Sequence, residues 1–213
     1  TLIPTTLLAM VDASIGGKCG INYQSYKNQI GSFYFPNRIF IDEVFLDTLS
    51  EKEYNNGFSE IIKYAIIKDE TMFSMIENNQ YSISNLIDTC IDIKMEVISN
   101  DLYDNLERKL LNFGHTYGHI VESQSNYLIS HGHAVAIGMC KEISDQKIKE
   151  RITKLLSKLI VISAAKLPID IPISRKHTKL SAASFANNFI IFGEVYPFHK
   201  TFSSNVTWLL LKL

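Results

Sequence analysis

Two histidines spaced four apart constrain this chain more than any other feature. They are His115 and His119, in the run Leu111-Asn112-Phe113-Gly114-His115-Thr116-Tyr117-Gly118-His119. On a helix, that spacing sets both rings side by side on one face. A third histidine, His131, follows a short loop and opens the Ala/Gly-rich segment His131-Gly132-His133-Ala134-Val135-Ala136-Ile137-Gly138-Met139. Upstream, Glu60 lies beside Lys63 in an amphipathic run. Neutral imidazoles with one carboxylate form a zinc set that leaves a fourth position open to water or substrate, as an enzyme requires. A lone pair of this spacing is more often one packed and one solvated helix histidine. Spacing nominates His115 and His119 as joint ligands and does not rank His131 against His133.

The 213 residues suffice for one substantial domain, or one domain and part of another. A hydrophobic fraction of 46% supports a packed core. The net charge of -1 gives no electrostatic reason to expect nucleic acid or a membrane surface. Cys19, Cys90 and Cys140 are odd in number and far apart, which argues against a disulfide framework or thiolate zinc site and suits a reducing cytoplasm. The opening residues lack the basic start of a signal peptide, and no uncharged apolar run is long enough to span a bilayer. The chain begins without methionine and in mid-pattern, which reads as a fragment.

Thr1 to Met10 reads as a strand end, a turn at Pro4 and a short helix start, and Ile15 to Gly20 as a Gly-rich turn carrying Lys18. A short strand is expected at Arg38 to Asp42, with helix dominating beyond it. Ser50 and Glu53 form a capping box, predicting a helix to about Lys68 that buries Ile61, Ile62, Ala65 and Ile66. A second helix spans about Ile83 to Ser99, and there Lys94 falls where the apolar stripe calls for a hydrophobe. An inward lysine would need an anionic partner. The residues alone favour a lysine snorkelling outward along the helix edge. Ile152 to Leu159 reads as a solvated amphipathic helix, and no period is defensible after Ser181.

Asp12-Ala13-Ser14-Ile15-Gly16-Gly17-Lys18 resembles a phosphate-cradling loop, although the Walker spacing is absent and Cys19 follows the lysine. A tight turn with an exposed lysine fits it equally. Lys27-Asn28, Arg108 and Asn112 add anion-binding candidates of a kind more often found as plain surface residues.

Taken together, seven segments in order resemble the 3-dehydroquinate synthase family. They are Pro4 to Ala9, Val11 to Lys18, Lys27 to Gly31, Phe45 to Thr48, Glu60 to Tyr64, Leu111 to His119 and His131 to Met139. The resemblance covers roughly the first two-thirds of the chain. It implies a mainly α fold: a helical metal-binding C-terminal domain of a two-domain enzyme, with a short β remnant of the N-terminal α/β domain. The implied organisation is an interdomain seam and nucleotide-domain remnant over 1–48, a helical metal- and substrate-binding domain over 49–165, and a divergent tail over 166–213.

The resemblance also places zinc, with Co2+ as a substitute, on Glu60, His115 and His131. It moves His119 to a phosphate-side or proton-transfer role. It implies NAD contacts at Thr5, Thr6, Lys18, Lys27, Phe45, Leu46, Asp47 and Thr48, with the pyrophosphate-binding glycines upstream of Thr1. Substrate contacts fall on Asp12, Asn28, Lys63, Lys94, Arg108 and Asn112, which turns Lys94 inward after all. The implied reaction converts 3-deoxy-D-arabino-heptulosonate 7-phosphate to 3-dehydroquinate and phosphate, on the shikimate route to aromatic amino acids. It runs through transient NAD-dependent oxidation, phosphate elimination, reduction, ring opening and intramolecular aldol closure. Lys94 and Arg108 would face the carboxylate; Lys18, Asn28 and His119 would face the phosphate. A cytoplasmic homodimer is also implied.

Some positions depart from the family pattern. His133 stands where a glutamate is usual, Leu102 and Asp104 fall where acidic residues are expected, and Asn105-Leu106 replace a glycine pair. The family's late Asp-Lys-Lys motif is not evident, and Lys176 and Lys179 are only loose nominees. Two rival readings stay open: a related sugar-phosphate cyclase or metal-dependent polyol dehydrogenase, and an inactive remnant or binding module.

Overall fold

A computed structural model describes residues 1–24, 26–104, 107–159 and 211–212. The helix expected from Ser50 forms as Glu51–Lys68 (α1), with the Ser50 hydroxyl accepting the Glu53 N–H at 3.3 Å. Its middle, residues 56–65, is buried on every side, including the polar Asn56, Ser59, Glu60 and Lys63. The sequence suggested an amphipathic run, yet the helix is central. The other elements wrap it.

Asp69 ends α1 and caps the next helix, Glu70–Glu77 (α2), by accepting the Met72 N–H. Ser82 caps Ile83–Asn100 (α3) in the same way, within a residue of the predicted span. Its apolar stripe, Leu86, Ile87, Cys90, Val97 and Ile98, enters the core around α1. Lys94 is buried with that stripe at 5% exposure, so the outward snorkelling favoured by the residues alone does not occur.

His115–Gln124 (α4) and His131–Glu142 (α5) form an antiparallel helical hairpin. No side chain of its own caps α4. Gly114 enters it with φ of +79°, a conformation glycine adopts without cost, and Glu142 from the far end of α5 accepts the N–H groups of Gly114 and Tyr117. At the start of α5, Gly132 lies against the backbone of Asn56 in α1, where a Cβ would overlap it. This close approach is what brings His131 to the face of α1 that carries Glu60. Gln146–Leu159 (α6) extends beyond the predicted amphipathic stretch. It buries Ile152, Leu155 and Leu156, and Arg151 grips Glu70 and Glu77 of α2 at 2.8 and 2.6 Å.

Ahead of α1, residues Ala9–Ala13 form one π-helical turn, closed by the Ser14 N–H to the Ala9 carbonyl at 3.2 Å. Lys18–Tyr23 (β1) and Tyr26–Phe33 (β2) then pair as an antiparallel hairpin. The sequence reading had only a Gly-rich turn at Ile15 to Gly20. β1 is exposed along its whole length, with Ile21 and Tyr23 more than half exposed, so no alternating buried face announced it. The strand expected at Arg38 to Asp42 shrinks to Phe40–Ile41 (β3), beside a bridge between Leu2 and Ile39. Leu211–Lys212 (β4) pairs with β3 in parallel. The tail nominees Lys176 and Lys179, and Asn105-Leu106, lie outside the described residues.

Candidate metal and anion site

Glu60 anchors one end of the site. It is fully buried, and neither oxygen accepts a hydrogen bond of ordinary geometry. Its Oε1 faces the Nε2 atoms of His115 and His131 at 3.6 and 3.5 Å, and Lys63, one turn on, forms an ion pair with Oε2. Two ligands held tetrahedrally about 2.1 Å from a zinc ion would be about 3.4 Å apart, close to these separations. Glu60, His115 and His131 therefore form a cradle able to hold a metal ion. His119 flanks it, its ring centroid 5.5 Å from that of His115 and 6.3 Å from that of His131. His119 also belongs to an overlapping candidate group with Glu122 and His131.

Electrostatics prepares the donors. Burial pushes the His115 imidazole down to about 4, overriding the pull of Glu60, so it is neutral. Burial opposes charge on Glu60 too, but Lys63 and then His115 outweigh it and hold the carboxyl at about 2. His131 goes the other way: against burial, the hydrogen-bonded Glu122 carboxylate and the nearby charge of Glu60 raise it to about 9.

The second end is a buried cluster of charges. Lys94 donates to Asp12 Oδ1 at 2.6 Å and to the Asp12 carbonyl, while the Tyr64 hydroxyl donates to the same carboxylate oxygen at 2.6 Å. Burial would raise the Asp12 pKa, but Lys94 and then Lys63 hold it well below the usual range. The π-turn places Asp12, α1 supplies Lys63 and Tyr64, and α3 supplies Lys94. Arg108, on a 3-10 turn over Glu107–Asn112, is 2% exposed. It donates to the carbonyls of Leu102 and Gly16 at 2.7 Å each, tying α3's exit to the Gly-rich turn. Lys18 leads out of this cluster through a 2.6 Å ion pair with Asp104. Asp104 is thus the counterion of a candidate anion-binding lysine.

The structure brings Asp12, Glu60, Lys63, Lys94, Arg108, His115, His119 and His131 into one string of charged and imidazole groups. The remaining candidates sit outside it. Asn112 is half-buried at the end of its turn. Asn28 is exposed on β2, donating its N–H to Asn22, and Lys27 shares that strand while its side chain lies outside the described residues. Thr6 accepts the Ala9 N–H just ahead of the π-turn, and Thr5 is exposed. Phe45 and Leu46 pack half-buried on the core from the 3-10 turn Glu43–Thr48, with Asp47 and Thr48 exposed.

Three contributors went unnamed as candidates in the sequence: Tyr64, Glu122 and Glu142. The first two had a signal. Tyr64 is four residues after Glu60, and Glu122 three after His119, so each shares a helix face with a named candidate. Glu142 had none, because its role depends on how α4 and α5 pair.

Fold and geometry together define a helical domain with a carboxylate–imidazole cradle at one end of a buried cationic cluster, an arrangement suited to metal-assisted chemistry on an anionic molecule. The chain belongs to the 3-dehydroquinate synthase family. The family's C-terminal profile matches residues 57–187 and its N-terminal profile residues 1–56. A 3-dehydroquinate synthase of Clostridium perfringens is 39% identical over 219 residues, 93% of this chain and 62% of its own length. One from Synechocystis is 39% identical over 212 residues, 91% of this chain and 57% of its own length. The chain thus spans about three-fifths of these relatives. Among solved structures, 2-epi-5-epi-valiolone synthase from Streptomyces hygroscopicus, with NAD+ and Zn2+ bound, superposes with a TM-score of 0.71 at 27% identity, covering 88% of this chain and 55% of that one. A 2-deoxy-scyllo-inosose synthase complexed with carbaglucose-6-phosphate, NAD+ and Co2+ gives 0.66 at 27% identity, covering 91% and 56%. No helix among the described residues is long and apolar enough to cross a membrane.

Proposed function

We propose that this chain supplies the metal- and substrate-binding part of a 3-dehydroquinate synthase, which converts 3-deoxy-D-arabino-heptulosonate 7-phosphate to 3-dehydroquinate and phosphate. The observation that carries this reading is Glu60 Oε1, buried without a hydrogen bond and aimed at two imidazole nitrogens. Solved relatives at 27% identity bind Zn2+ or Co2+ together with NAD+, so the reading extends to both cofactors. When bound, the dication supplies Lewis acidity toward a substrate hydroxyl and NAD a hydride acceptor.

The chain's own residues do the rest. Glu60, His115 and His131 hold the metal, with Lys63 countering the Glu60 charge. Lys94 and Arg108 offer a carboxylate-bearing substrate fixed cationic charge in a site largely shielded from water, where each charge acts strongly. Asp12 keeps Lys94 ionised and aimed until the substrate arrives. His119, beside the metal, moves the proton that accompanies phosphate release, and Lys18 and Asn28 steady the phosphate. Thr5, Thr6, Lys18, Lys27 and Phe45 to Thr48 contact the nucleotide. The assigned parts are a seam over 1–48, the helical domain over 49–165 and the tail after 166. The whole enzyme works as a cytoplasmic homodimer.

The first test is zinc content of the full chain and of Glu60→Ala. One zinc per chain, lost in the variant, is expected. A zinc-free wild type overturns the metal reading. Joined to the N-terminal portion of the Clostridium perfringens relative, the chain should release phosphate from 3-deoxy-D-arabino-heptulosonate 7-phosphate. A different carbocycle from another sugar phosphate would instead place it with the related cyclases. A monomeric mass at micromolar concentration would refute the dimer.

A further inference from the structure

We propose that Glu122 is the positioning residue for His131, fixing which ring nitrogen meets the metal. The inference rests on the metal reading given above. Glu122 lies on α4 one turn beyond His119 and is 3% exposed. Its Oε2 stands 3.4 Å from Nδ1 of His131, while Nε2 of the same ring stands 3.5 Å from Oε1 of Glu60. The two nitrogens of one imidazole thus face two buried carboxylates on different helices. A neutral ring carries one N–H and one lone pair. Donating Nδ1–H to Glu122 leaves the Nε2 lone pair pointing where Glu60 and His115 converge.

His115 solves the same problem by other means. Its Nδ1 lies 3.2 Å from the Phe113 carbonyl, which likewise leaves Nε2 toward Glu60 at 3.6 Å. One ring is thereby held by a neutral carbonyl and the other by an anion. The anionic partner adds basicity to its ring, and such outer partners of metal-bound histidines are worth about 10- to 100-fold in metal affinity. The loop between α4 and α5 supports the geometry. Tyr127 N–H and Ser125 hydroxyl both bind the Glu122 carbonyl, fixing the backbone from which the carboxylate projects.

A rival use of the same atoms is available. Ligand atoms of His119, Glu122 and His131 also lie within 4.8 Å of one another, so Glu122 could itself bind a metal. The shared ring separates the two cases, because a ligand role predicts a second equivalent of zinc and a positioning role does not.

The test uses the full chain as wild type, Glu122→Gln and Glu122→Ala, titrated with zinc against a chromophoric chelator. Imidazole 15N shifts are read in the loaded state. The wild type should bind one zinc, with Nδ1 of His131 protonated and Nε2 metal-bound. Glu122→Ala should bind zinc about 10- to 100-fold more weakly and lose the single tautomer signature. Glu122→Gln, isosteric and still able to accept from Nδ1–H, should recover most of the affinity and the signature, and it stands in if the alanine variant does not fold. Both variants binding within twofold of wild type would overturn the proposal alone. A second wild-type zinc that disappears in Glu122→Ala would overturn it in favour of ligation. A wild type that binds no zinc would remove the metal reading and this inference with it.

Discussion

Replacing Lys94 by methionine deletes an ammonium 2.6 Å from Asp12 Oδ1 while keeping most of the side chain's apolar length. At that separation the gross attraction is roughly 6 kcal/mol for an effective dielectric of about 20. Desolvation of both groups consumes most of it, so the pair adds little net stability as it stands. Deleting one member is different, because the other then stays in a site where its side chain is only 24% exposed. Stranding a buried charge costs about 3–5 kcal/mol. Asp12 keeps the Tyr64 hydroxyl at 2.6 Å and the field of Lys63, so the low end, about 3 kcal/mol, is expected. Urea unfolding of Lys94→Met, Asp12→Asn and the double variant reads the cycle directly. The double variant should be less damaged than the two singles summed, with a coupling of about 2 kcal/mol or more. A loss under about 1 kcal/mol for Lys94→Met, or simple additivity, would refute the claim that Asp12 and Lys94 depend on each other. Confirmation would mean that an incoming anion must compete with Asp12 for the ammonium.

Three more outcomes are expected. Gly132→Ala puts a methyl into the Asn56 backbone, so it should cost about 1–3 kcal/mol in urea and weaken zinc binding by shifting His131; an unchanged zinc affinity would show that α1 and α5 are not rigidly apposed. Arg108→Met strands the Leu102 and Gly16 carbonyls and should cost about 3 kcal/mol, with Arg108→Lys restoring one bond at most; a loss under about 1 kcal/mol in thermal unfolding would refute the brace. With His131 held at about 9 and His115 at about 4, zinc loading at pH 7 should displace one proton, and affinity should rise about tenfold per pH unit from 7 to 8. Calorimetry in two buffers of different ionisation enthalpy counts that proton, and zero or two would contradict the assignment. By the same shift, His131 stabilises the metal-free fold fully below its ordinary value of 6.5 and loses that contribution as pH rises through about 9.

Helix existence was legible at Ser50, where a capping box met an apolar stripe, and over Ile83 to Ser99, where the stripe alone marked the helix; α2 was not read although Asp69 caps it. The direction of Lys94 was not, since a stripe position shows where a side chain starts and not which partner meets it. Asp12, its counterion, is 82 residues away in sequence. The β1–β2 hairpin was missed because β1, exposed along its whole length, leaves no alternation to read. Spacing gave His115 and His119 as joint ligands, whereas the geometry groups His115 with Glu60 and His131 and leaves His119 at the flank. That grouping depends on Gly132 letting α5 touch α1, a contact local pattern does not encode. The family resemblance supplied it where periodicity could not.

The all-round burial of α1 over residues 56–65 limits how this protein can change. The same ten positions hold the core together and carry Glu60, Lys63 and Tyr64, so drift there is filtered by folding before activity is ever sampled. A variant library confined to that stretch would yield insoluble chains and inert ones mixed together. New specificity has easier routes at the rim, through Lys18 and the rest of β1 or through Asp47 and Thr48, where a substitution meets solvent and leaves the scaffold standing.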